Sequence, residues 1–238
     1  FVEEKIKEFV NASFEHDEEK VKAMQLFDWH RKFQIIDNSC MHFNDISAKD
    51  WGNYSFNGES AQTHINVSDG MSSIADLLHA DLQQEIQFNK IVELIYWKSE
   101  EYPGKSNKIL IKCEDGSAYT TNNLICTISM GVLKRKHLQL FQPPLPKKHS
   151  NVIENIGFGT INKIFIRFEE RWWDDGWKGL QLLWTEDHND DSHWTKFISG
   201  FDVAYPAPDN TLVAWIGGKG AVEMEHFDNQ VISSELMK

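Results

Sequence analysis

The chain has 238 residues, 41% of them hydrophobic and 25% charged, with a formal net charge of −12. That length and composition suit one large globular domain or two small ones and exclude a disordered or collagen-like chain. So acidic a chain repels nucleic-acid phosphates and attracts cations, which sets nucleic acid aside and leaves cationic small molecules open.

Nine Trp and fifteen Phe fit a deep core or an aromatic pocket. Cys40, Cys113 and Cys126 are odd in number and form no C-x-x-C, against a disulfide scaffold or a thiolate zinc site and for a reducing compartment such as the cytosol. N-x-S/T sequons at Asn11, Asn53 and Asn66 are too few to argue secretion. No apolar run approaches the roughly 18 residues of a membrane span. The opening FVEEKIKEFV has no signal-peptide core and does not begin with Met; the end, VISSELMK, falls inside a helical pattern. Both ends are expected to be cuts in a longer protein.

Taken in chain order, residues 1–35 predict helices. Val2, Ile6, Phe9 and Val10 recur at helical spacing, and 17–30 continues after an acidic start. Residues 36–62 predict irregular polar chain, with turns at Gly52 and Gly58. "INVSDGMSSIADLLHADL" (65–82) is a glycine turn followed by a helix. "IQFNKIVELIYW" (86–97) predicts a strand, and 108–129 a hairpin turning at Asp115-Gly116. "FQPPLPKK" (141–148) is a proline-punctuated connector. The runs 161–168, 180–184, 196–203 and 211–216 predict a largely antiparallel sheet, and the last stretch starts a helix.

Several residues invite chemistry. On the strand "INKIFIRF", one face carries Ile161, Lys163, Phe165 and Arg167, the other Asn162, Ile164, Ile166 and Phe168. A lysine facing the core must snorkel to water or find polar partners. The plainer alternative leaves Lys163 and Arg167 on a wet face. "TEDHNDDSH" (185–193) holds two His and four acids, but His188 and His193 fit no familiar zinc spacing, so no metal is expected. "IGGKGA" (216–221) lacks the full signature of a phosphate loop. No G-x-S-x-G marks a hydrolase elbow, and the proximity of His42, Asp45 and Ser47 in sequence does not make a triad.

"LICTISMGVLKR…FQPPLPKKHSNVIENIGFGTINKIFIRFEERWW" closely resembles the flavin-containing amine oxidases, in their polyamine oxidase and spermine oxidase branch. That branch reads T-V-P-L-G-x-L, then F-x-P-P-L-P, then I-G-F-G-T-x-N-K-I-F-L-x-F, then an aromatic pair. The likeness covers essentially the whole chain and is most specific over 124–173.

The resemblance implies an α+β fold. A substrate-binding domain, its mostly antiparallel sheet flanked by helices, would hold 1–62 (helical part) and 136–238 (sheet part), and 63–135 would be a segment of a Rossmann-like FAD-binding domain. FAD is then the cofactor, a polyamine and oxygen the partners, and an aldehyde, a shorter amine and hydrogen peroxide the products. The location would be cytoplasmic, with the peroxisome as an alternative; oligomeric state stays open.

Carried over residue by residue, Lys163 is the catalytic lysine that reaches toward the flavin and holds a water on N5. Val92 is the valine whose backbone contacts the adenine, and Ile161 a pocket position where relatives often carry Asn. Gln34 of "RKFQII" falls where relatives carry a pocket glutamate that pairs with the cationic amine. Met130 stands where relatives usually have Leu. Gln34 and Ile161 keep open a non-catalytic polyamine- or protein-binding relative, or an oxidase of another amine. The sequence contains no G-x-G-x-x-G, so this chain alone is expected to hold FAD poorly.

Overall fold

A computed structural model describes residues 1–53, 67–82, 86–98, 108–185, 193–205 and 208–237. The Asn66 sequon and most of the acidic stretch 185–193, His188 included, lie outside the described residues. The chain forms two compact units, Phe1–Ser68 with Gly159–Lys238, and Asp69–Phe158.

The first unit opens with helices α1 (Val2–Ser13) and α2 (Asp17–Asp37). Asp17, Glu18 and Glu19 place negative charge at the positive end of the α2 dipole. The helix runs past the expected boundary at 35 because its end is well capped. The Asn38 backbone N–H and side-chain Nδ2 both donate to the Gln34 carbonyl at 3.0 Å, and Nδ2 also donates to Gln34 Oε1 at 3.0 Å. Ser39, at φ 52°, then turns the chain away. Two 3₁₀ turns, Phe43–Asp45 and Trp51–Asn53, interrupt the stretch read as irregular.

The second unit begins with α3 (Met71–Ala80), entered through Gly70 at φ 79°. Strand β1 (Val92–Tyr96) is shorter than the run 86–97. It pairs antiparallel with β2 (Ile109–Cys113), which pairs antiparallel with β3 (Ala118–Thr121). The turn between them is at Asp115-Gly116, as expected. Gly116 takes φ 82°, and Asp115 Oδ1 accepts the Ser117 N–H at 2.9 Å. The chain continues through α4 (Met130–Leu140), β4 (Phe141–Gln142) and α5 (Lys147–Asn155).

The connector "FQPPLPKK" is therefore not only a linker. Its first two residues pair parallel with β1, Ile95 opposite Phe141, giving the strand order β3-β2-β1-β4. Buried Ile95, Leu140 and Phe141 form this unit's core, with Val92, Ile109 and Leu133 against it. Residues 136–158 lie in this compact unit. The non-local β1–β4 pairing and the Leu140–Phe141 core contact hold them here.

The first unit resumes with β5 (Ile161–Arg167), β6 (Gly179–Gln181), β7 (Ile198–Val203) and β8 (Thr211–Gly217). All pairings are antiparallel, in the order β5-β8-β7-β6. The run 196–203 gives its first two residues to a 3₁₀ turn, Trp194–Phe197, and the run 180–184 ends as a strand at Gln181. Helices α6 (Gly218–Met224) and α7 (Asn229–Leu236) follow, and the Asp228 carboxylate caps α7. Ile164, Ile198, Ala214 and Ile216 on one face of the sheet pack with Trp194, Ala221 and other side chains into a core. Each fully buried isoleucine there contributes roughly 2 kcal/mol. Helices and two largely antiparallel sheets make the fold α+β. Among the described residues no helix is long and apolar enough to cross a membrane.

Candidate functional site

The two faces of β5 part cleanly. Ile164 is buried in the core with Ile166 against it, while Lys163, Phe165 and Arg167 are exposed. Lys163 therefore lies on the wet face, and the core-facing placement is not the one adopted. The face is nonetheless apolar around it. Phe165 is 60% exposed, and half-buried Trp215 and Val213 of β8 stand opposite Lys163 and Phe165. Lys163 Nζ sits 4.1 Å from the centroid of the Trp215 ring, close enough for cation–π attraction. Among the described residues it makes no ion pair. On the neighbouring strand Asp202 lies opposite Val213, and desolvation pushes its carboxyl up from the usual range.

The start of β5 is fixed by contacts that only glycine permits. The Gly159 N–H donates to the Ser39 carbonyl at 2.9 Å, and the Gly218 N–H to the Thr160 carbonyl at 2.9 Å. A Cβ on Gly159 would lie 2.5 Å from Ser39 O, and one on Gly218, at φ 61°, would lie 2.6 Å from Met41 O. The glycines of "GFGT" and "IGGKGA" thus bring the β5 start, the end of α2 and the β8–α6 corner together. Met41 and Ile35 fill the space a phosphate would need, so the second motif is a packing device.

Ile161 is half-buried on this start, opposite Gly217 and two residues from Lys163 on the same face. Gln34 is buried near the end of α2, and its Oε1 is engaged by Asn38. Val92 heads β1 in the second unit, at an irregularity in its pairing with β2, and its side chain packs toward that unit's core. The structure therefore brings Ile161 and Lys163 onto one face, keeps Gln34 in the same unit, and places Val92 in the other.

Two hollows open in the first unit. One, of about 590 Å³, lies between α1 and α2, lined by Val10, Met24, Phe27, Asp28, Arg31 and Trp184 among others. The other, of about 410 Å³, runs along β5 from Lys163 to Arg167 and is bordered by α7. Among the described residues no cluster of His, Cys, Asp or Glu could hold a metal. Reading the sequence missed Trp215 as the companion of Lys163; its only signal was the apolar alternation of "LVAWIG". It also missed Asp28, whose spacing to Arg31 and Lys32 (i, i+3 and i+4) was the available sign.

Residues 3–238 match the family profile of the flavin containing amine oxidoreductases. The chain belongs to that family. The peroxisomal N(1)-acetyl-spermine/spermidine oxidase of Bos taurus is 31% identical over 183 residues, 71% of this chain and 35% of that protein. Its Homo sapiens namesake is 35% identical over 125 residues, 50% of this chain and 24% of that protein. A lysine-specific histone demethylase 1B homolog of Caenorhabditis elegans is 32% identical over 151 residues, 63% of this chain and 18% of that protein. The chain thus spans about a third or less of the length of these relatives.

FAD is the cofactor of this family of flavin amine oxidoreductases. The residues of this chain fit one part of it. A lysine with no carboxylate partner among the described residues, beside Trp215, Ile161 and Phe165, suits a planar ring whose edge gathers negative charge. The pyrophosphate finds no match, because the glycine corner at 217–218 is filled by Ile35, Ile36 and Met41.

Proposed function

We propose that this family member oxidises the secondary amine of a polyamine such as spermine, spermidine or an acetylated form, and that Lys163 works beside the flavin N5. The observation that carries this reading is the placement of Lys163: exposed on an apolar strand face, over an aromatic ring, with no ion pair among the described residues. FAD, when bound, would supply the electron acceptor: it would take hydride from the carbon beside the amine nitrogen and pass the two electrons to oxygen as hydrogen peroxide, water opening the imine to an aldehyde and a shorter amine.

The chain's own residues prepare this step. Lys163 holds a water where negative charge develops. Ile161 supplies an apolar wall and Gln34 a neutral hydrogen-bonding group, an environment that favours the uncharged amine from which hydride can leave. The net charge of −12 steers a polycation toward the protein. In this reading the unit of 1–68 and 159–238 binds substrate, and the unit of 69–158, through the Val92 backbone, belongs to the FAD-binding domain. The protein works in the cytosol or, as the names of two relatives suggest, in peroxisomes.

The test is the visible spectrum of the full-length protein, followed by anaerobic spermine. A flavin spectrum that bleaches supports the reading, and Lys163→Met then slows reoxidation by oxygen about a hundredfold. A flavin that no polyamine bleaches overturns it. A second reading keeps the chemistry and changes the amine. It is favoured by Gln34, which lacks the carboxylate that would pair with a polyamine, and by the histone demethylase homolog. Bleaching by an N-methyl-lysine peptide but not by spermine would establish it. A flavin that no amine bleaches would mark a non-catalytic relative.

A further inference from the structure

Lys163 and Trp215 are direct cross-strand partners on β5 and β8, and the ammonium lies 4.1 Å from the ring centroid. A lysine has four rotatable bonds, so an exposed one normally samples many positions. Here its strand is fixed at one end by the Gly159 and Gly218 contacts, and its head group has a particular ring to rest on. Trp215 is itself half-buried, flanked along β8 by buried Ala214 and Ile216, so its backbone is anchored in the core. The ring is the better-held member of the pair.

We propose that Trp215 is a positioning residue: it holds the Lys163 ammonium over its face and acts on the flavin step only through that lysine. The proposal rests on the role given to Lys163 above. An ammonium on an aromatic face turns part of its positive N–H edge toward the ring, and because it has three donors and the ring is no strong acceptor, it keeps donors for another partner. The ring confines the charge and leaves the remaining donors for a water. A carboxylate in its place would neutralise the charge and consume the donors. This also explains why a bulky tryptophan is useful on a strand face that its own unit leaves uncovered.

Two measurements test the inference, the first without any flavin. The lysines of this chain are dimethylated with ¹³C-formaldehyde, which preserves their charge, and Lys163→Met identifies the Lys163 methyl resonance. The ring current over Trp215 should shift that resonance upfield of the other lysines. Trp215→Leu should return it to the common position, and Trp215→Phe, which keeps an aromatic face, should retain part of the shift. The second measurement is flavin reoxidation in the full-length FAD-loaded protein. Trp215→Leu should slow it about tenfold, with Trp215→Phe close to the parent. In the Lys163→Met background Trp215→Leu should have no further effect.

A Lys163 resonance unmoved by Trp215→Leu overturns the proposal, and so does an equal slowing by Trp215→Leu with or without Lys163. If Lys163→Met leaves reoxidation unchanged while the parent shows the upfield shift, the contact is real but neither residue serves the flavin. That result ends the positioning role and the role of Lys163 together, and it is told apart from a missing contact by the resonance.

Discussion

Asp28 Oδ2 lies 2.5 Å from Lys32 Nζ, one turn along α2, and the lysine side chain is only 3% exposed. The same carboxylate takes Arg31 Nη2 at 2.7 Å through Oδ1. Trp184 also lies near, its centroid 5.9 Å from Lys32 Nζ. A cation this deep is tolerable because its counter-charge is in contact, so removing the acid should be far worse than removing the pair. Asp28→Asn is expected to destabilise the first unit by about 3 kcal/mol in urea unfolding. Adding Lys32→Met to Asp28→Asn should recover at least half of that loss. A single variant as stable as the parent would show that the pair does not hold this site.

The pair also sets a pH dependence. Burial pushes the Asp28 carboxyl up, but hydrogen bonds from Lys32 and Arg31 and their charges outweigh it and hold the group below its ordinary value. A carboxyl whose folded-state pKa is depressed contributes stability above its unfolded value of about 4, and that contribution is lost as pH falls through the lower folded value. The gap in melting temperature between the parent and Asp28→Asn should therefore be full near neutrality and close on acidification below about pH 4. A gap that stays constant into strong acid would mean the carboxylate is not the source.

Gly159 offers a steric test. A Cβ there would meet backbone, with Ser39 O and Cys40 C both at 2.5 Å, so no side-chain rotation can relieve it. Gly159→Ala is expected to cost about 2 kcal/mol in chemical denaturation. It should also weaken the Gly159 N–H to Ser39 O bond that sets the start of β5, seen as faster amide exchange across Ile161 to Lys163. Gly157→Ala, with nothing within 4 Å of its Cβ, is the matched control and should be near neutral.

Flavin retention follows from the fit described above. The chain offers a ring-side lysine but no glycine fingerprint for the pyrophosphate. Purified by itself, it should run colourless on gel filtration after incubation with FAD. A yellow peak with a stoichiometric flavin spectrum would show that its own residues hold the dinucleotide.

Local chemistry was legible in the sequence. The Asp115-Gly116 turn, the acidic opening of α2 and the strand runs around 161, 198 and 211 are set by neighbours within a few residues, and these elements formed close to where their patterns place them. The motif run over 124–173 likewise pointed to the flavin amine oxidases before any fold was known. Tertiary structure decided what depends on partners far along the chain. Alternation gives β5 two faces but does not name the buried one; pairing with β8 and the packing of Trp194 and Ala221 did that, and put Lys163 outside on Trp215. The reach of the second unit to Phe158 came from β4 finding β1, a pairing 46 residues apart at Ile95 and Phe141. The glycines of "IGGKGA" lack a full phosphate-loop signature in the sequence, but that they serve a packing corner came only from Met41 and Ile35 lying against them. Each of these outcomes is set by which surfaces meet, and a linear pattern records only the surfaces.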